Sequence, residues 1–146
     1  MTITAGQMLG MSRSQLDSLF RQHPSGEIPI GEAQGTVLVR LGRTISILIS
    51  KVAHRVAWKG KVFDADRGEL RNEVSPLGVR AIRAKVYKAP SWFDGKDCIV
   101  LDYSHTSFVA RRIRDEIREV SPGVFLGIVY WGRAKLINFA LTFQEQ

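Results

Sequence analysis

Hydrophobic residues recur along this chain at two different periods, and the period changes mark the elements. Leu16, Leu19 and Phe20 share one helical face between Ser12 and Gln22, where Ser12 or Ser14 can cap the segment and His23-Pro24-Ser25-Gly26 ends it. A longer stripe of Ile45, Leu48, Ile49, Val52 and Val56, filled by Ala53, predicts a second, amphipathic helix over 44–58, with Thr44 in the N-cap position. Beyond Trp58 the period shortens to that of strands.

Alternation predicts strands over 34–41, 58–63, 69–74, 79–88 and 97–103, with Asp94-Gly95 read as a type I′ hairpin signal between the last two. Trp92 and Phe93, beside Pro90, are placed to cover the mouth of a cavity. From Val109 two periods compete. Val109, Ile113, Ile117 and Val120 fit a narrow helical stripe, whereas Ile113, Asp115, Ile117 and Glu119 fit one face of a strand. The Pro122-Gly123 turn and the apolar run Val124–Trp131 favour a strand over 111–120, with a helix as the alternative. A final strand runs from Lys135 to Phe143.

The sum is a mainly β, antiparallel domain of about eight strands, which curls into a barrel because closure removes exposed edges. The 12–22 helix precedes the barrel, and the 44–58 helix packs on it or caps it. At 146 residues one domain, 1–146, accounts for the whole chain. A barrel of this size is filled by side chains or holds one small ligand.

Composition changes this picture little: 45% of residues are hydrophobic and 24% charged, as in ordinary globular proteins. The single cysteine, Cys98, lies in Cys98-Ile99-Val100-Leu101 and reads as a small buried hydrophobe. With no charged and apolar leader at the N-terminus, the expected location is the cytoplasm. The 44–58 helix is too short and too basic to span a bilayer, so stable membrane insertion is not expected. The net charge of +7 comes from scattered Lys and Arg, which argues for a solvated surface over specific nucleic-acid recognition. Peripheral association with a membrane or nucleic acid through that surplus is the weakest of three functional readings.

Trp58-Lys59-Gly60-Lys61-Val62-Phe63, the Asp102-Tyr103-Ser104 step, the 109–120 segment, Gly123-Val124-Phe125-Leu126-Gly127 and the apolar last strand together resemble the later half of bacterial GXWXG-type proteins. The resemblance covers about the C-terminal two-thirds and lacks the GXWXG string itself. It implies a lipocalin-like barrel and no catalytic residues.

The chemistry concentrates between Ser91 and Phe143. Whichever face of 111–120 points inward brings charge into the barrel, so an Arg111/Asp115 or Arg114/Glu116 set is expected there as an ion network or a ligand clamp. Arginine suits a carboxylate or phosphate. Trp92, Tyr130 and Trp131 can form aromatic walls, and His105 beside Asp102 and Tyr103 is the candidate for acid or base work. No nucleotide, metal or nucleophile-elbow motif is present, so no cofactor or metal is expected.

The leading reading is binding of a small, largely apolar molecule carrying a polar or anionic group inside the barrel. Its ligand contacts would be Arg111, Arg114, Asp115, Trp92, Tyr130 and Trp131. The alternative is an isomerase or cyclase using proton transfer by His105, Asp102 and Tyr103. A homodimer is compatible with either.

Overall fold

The computed structural model describes residues 2–38, 58–64, 68–74, 82–104 and 110–143. Two short helices open the chain, α1 (Ala5–Leu9) and α2 (Arg13–Gln22). Each begins with a reciprocal cap, Thr4 with Gln7 and Ser12 with Gln15, in which the hydroxyl accepts from the N3 amide and the Gln side chain accepts from the cap amide. The apolar face of 12–22 predicts α2. A single turn with Met8 as its only buried residue has no period to read, so α1 escapes the pattern.

Eight strands follow: β1 (Gly31–Leu38), β2 (Trp58–Asp64), β3 (Glu69–Val74), β4 (Ile82–Pro90), β5 (Asp97–Asp102), β6 (Ile113–Ser121), β7 (Val124–Trp131) and β8 (Ala134–Phe143). Each pairs antiparallel with the next, and β8 pairs with β1, so the ladder closes on itself as a barrel. The first strand begins at Gly31, three residues before the alternation predicts, and the fourth runs two residues past its predicted end, to Pro90. The helix expected over 44–58 lies outside the described residues up to Trp58, which opens β2. Between β5 and β6 a 3-10 turn covers Ala110–Arg112, after which the chain is strand and not the alternative helix.

Antiparallel connectivity sends the β2–β3, β4–β5 and β6–β7 connections to one end, together with the Ile28–Ile30 strap that leads into β1. The 3-10 turn and the β7–β8 turn lie at the other. Asp94-Gly95 does not make a type I′ hairpin, because that turn needs positive φ at both central residues and only Gly95 has it (φ 75°). The chain between β4 and β5 is a wider loop, closed by Ser91 N to Lys96 O and Gly95 N to Ser91 O.

Register decides what faces the lumen. Ile99, Ile117, Gly127 and Phe139 form one inward row, and Val86, Leu101, Asp115 and Val129 form the next. With Phe63, Ala33, Phe125 and Leu141 they make one apolar cluster. The opposite face of β5–β8 carries Cys98, Val100, Leu126, Ile128 and Ala140, which pack against Met8, Leu16, Leu19 and Phe20. The helices therefore bury the outer surface of the sheet, each large apolar side chain contributing about 1.5–3 kcal/mol. Cys98, fully buried there, has its thiol pushed up to about 12 by burial first and by the nearby Glu116 charge second.

Candidate functional site

The charged ladder of β6 splits between the two faces, because successive strand residues point opposite ways. Arg114, Glu116 and Arg118 turn outward, away from the lumen, while Asp115 turns in. Neither the Arg114/Glu116 pair nor an Arg111/Asp115 pair lines the cavity: the first lies on the outer sheet face, and Arg111 is exposed at the rim.

The outward set is nonetheless buried. Arg118 is fully buried, and its five N–H donors are all used. Nη1 and Nη2 grip the Asp94 carboxylate at 2.7 and 2.6 Å, Nη1 also donates to Phe20 O (2.9 Å), Nη2 to Lys96 O (3.0 Å) and Nε to Asp97 O (3.2 Å). Its guanidinium also stacks on the Phe20 ring at 4.3 Å. One side chain thus joins α2, the β4–β5 loop and β6. Glu116 holds the start of the same loop, accepting from Ser91 Oγ (2.5 Å), Trp92 N (2.9 Å) and Arg114 Nε (3.1 Å).

The Arg118 hydrogen bonds, more than any other influence, hold the Asp94 carboxyl below the usual carboxylate range. A folded-state pKa below the unfolded one adds stability above the ordinary carboxylate pKa, and this is lost as pH falls through the lowered value. Wild type and Asp94→Asn are therefore expected to differ most in Tm near neutrality and to converge on acidification; a gap independent of pH would refute this role.

Trp92 and Phe93 do not cover a mouth. Trp92 lies outside the barrel, edge-on to Tyr130 (5.3 Å) and against the guanidinium carbons of Arg114 (4.2 Å) and Arg133 (4.1 Å). Phe93 meets Phe20 edge-on at 5.9 Å. Tyr130, buried beneath Trp92, has its hydroxyl pushed well up by burial and then by Glu116.

The Asp102-Tyr103 step also divides. Asp102 faces outward, accepting from Tyr87 Oη (2.8 Å) and Ser104 N (2.9 Å), while Tyr103 turns inward and donates to Asp115 Oδ2 (3.3 Å). These neighbours do not meet in one cavity, and His105 lies outside the described residues. The proton-transfer trio is not assembled among the described residues. Tyr103 is pushed well above the ordinary phenol value, first by burial and then by the Asp115 charge and hydrogen bond.

Inside the barrel the described residues therefore offer one hydrogen-bonded polar pair, Tyr103 and Asp115, both 3% exposed, against an apolar wall. Trp131 stands exposed at the rim opposite Ile113, one inward position nearer the mouth than Val129, which faces Asp115. A cleft of about 170 Å³ opens where the strap crosses the barrel, lined by Ile28, Pro29, Ile30, Phe63, Glu69 and Val86. The strap is pinned by Glu119 N donating to Ser25 O (3.2 Å), and Gly26 (φ 76°) sits against Glu119, where a Cβ would collide. Nothing in the sequence marks this cleft, because Ile28-Pro29-Ile30 reads only as an extended linker. Among the described residues no cluster of three or more His, Cys, Asp or Glu could hold a metal, and no helix is long and apolar enough to cross a membrane.

No protein-family model and no curated protein matches the chain. Among solved structures, the crystal structure of a protein from Thermomonospora curvata is similar, with a TM-score of 0.60 and 16% identity over 92% of this chain and 89% of that one. At that identity the likeness extends to the fold alone.

Proposed function

We propose that the chain is a lipocalin-like barrel that binds a small, largely apolar molecule carrying one polar group. The observation that carries this reading is the Tyr103–Asp115 pair set against apolar lumen side chains among the described residues. A buried carboxylate and hydroxyl are costly unless partnered, and with the Tyr103 proton given to Asp115 the pair presents acceptor oxygens to a guest. The inward row Val86, Leu101, Asp115 runs from the strap cleft to that pair, so an apolar body against Phe63 and Val86 can direct a hydroxyl toward Asp115. The cleft is comparable with a cavity of about 150 Å³ that takes up benzene. The resemblance to GXWXG-type proteins points the same way.

The deep group is a neutral donor such as a hydroxyl, because Arg114 and Arg118 face outward and an anion beside Asp115 would be repelled. Among the described residues at the rim, an anionic group would meet the exposed Arg111. Thermal-shift titration of the full chain with alkanols, phenols, the matching fatty and aromatic acids, and haem tests this. The alcohols should raise Tm, by about 2.7 kcal/mol of stabilisation at a hundredfold excess over Kd. Tyr103→Phe should weaken them about tenfold, the worth of one buried hydrogen bond. Stabilisation by none of these probes would remove the proposal.

A further inference from the structure

The surface around the β7–β8 turn combines exposed apolar side chains with uncompensated cations. Trp131 is 42% exposed and Leu136 44%, on either side of Gly132-Arg133. Gly132 N donates to Arg112 O (2.8 Å), which draws the 3-10 turn against this hairpin. Arg114 is neutralised by Glu116 and Lys135 by Asp17, whereas Arg112 and Arg133 form no ion pair among the described residues. The local surplus of positive charge therefore rests on two exposed guanidiniums flanked by an indole and an isobutyl group.

We propose that this rim docks peripherally on an anionic phospholipid surface. Indole side chains favour the boundary between headgroups and acyl chains, which suits Trp131, with Leu136 exposed on the same hairpin. Guanidiniums pair bidentately with phosphate, which suits Arg112 and Arg133. Single-stranded nucleic acid fits the rim less well, because such sites use successive open aromatic platforms. Here the Trp92 ring already carries two guanidiniums, and the Tyr87 hydroxyl is tied to Asp102. The inference stands apart from the lumen ligand, since it uses neither residue of the Tyr103–Asp115 pair.

Co-sedimentation of the full chain with vesicles of phosphatidylcholine, alone or mixed with phosphatidylserine, across a salt series tests it. Binding should require phosphatidylserine and weaken with salt. Replacing Arg112 and Arg133 together by Ser should weaken it about thirtyfold, at about fivefold per charge. The corresponding Lys pair should retain most of the affinity, which separates lost charge from misfolding. Trp131→Ser with Leu136→Ser should weaken binding about tenfold through lost apolar contact. No association with phosphatidylserine vesicles at low salt, equal association with phosphatidylcholine alone, or association with a single-stranded oligonucleotide in place of vesicles would overturn the proposal.

Discussion

Arg118→Ala is expected to destabilise the protein by about 3–5 kcal/mol, because removing one partner of a buried ion pair strands the other. Here it strands more than the Asp94 carboxylate. The carbonyls of Phe20, Lys96 and Asp97 each lose a guanidinium donor, Phe20 O keeping His23 N and Lys96 O keeping Ser91 N, and α2 loses one of its ties to the sheet. Tm should fall on the order of 10 °C for a chain of this length. Replacing the pair by apolar residues, Arg118→Met with Asp94→Leu, should recover only part of the loss, since none of the three carbonyls regains its guanidinium donor. Chemical denaturation of the four proteins in the cycle measures this. If the double substitution regained full stability, the carbonyl contacts would count for nothing and the clasp would be an ion pair alone.

Gly127→Ala should have the next largest effect. Gly127 lies in the lumen row between Ile117 and Phe139, and a Cβ there would fall within the van der Waals envelope of three Phe139 ring atoms. The ring covers the glycine as aromatic side chains do at barrel glycines, so a Cβ there forces it to shift. Overpacking of this kind costs about 1–3 kcal/mol. Phe139→Leu, itself destabilising through lost volume, should become less so in the Gly127→Ala background, giving a coupling of opposite sign to simple addition. Additive losses would show that the two positions do not share that space.

These two expectations also show where the chain could be read in advance. The apolar run Val124–Trp131 and the alternation along Lys135–Phe143, preceded by Pro122-Gly123, mark the last two strands, and Gly123 does adopt the positive φ its turn requires (74°). The same alternation says that one face of β6 must carry Asp115 and the other Arg114, Glu116 and Arg118. It cannot say that both faces are buried. That follows from α2 and the β4–β5 loop packing outside the sheet, a contact between residues as far apart as Phe20 and Arg118 that no local period encodes. For the same reason Trp92 read as a lid over the mouth, although its partners are Tyr130, Arg114 and Arg133 on the outer face. The Tyr103–Asp115 hydrogen bond was half legible: both residues stood among the candidates, in different roles, and only the β5–β6 register brings them together.

Under the proposed function one strand divides its labour, with Asp115 to serve a guest inside the barrel while Arg114 pairs with Glu116 outside it. The most direct measurement is the calorimetric affinity of the best alcohol probe for wild type, Asp115→Asn and Arg114→Gln. Affinity should drop at least about tenfold, or about 1.4 kcal/mol, in Asp115→Asn and stay within twofold, or about 0.4 kcal/mol, in Arg114→Gln. Unchanged binding in Asp115→Asn, or binding lost in a folded Arg114→Gln, would place the guest on the outer face and contradict the reading.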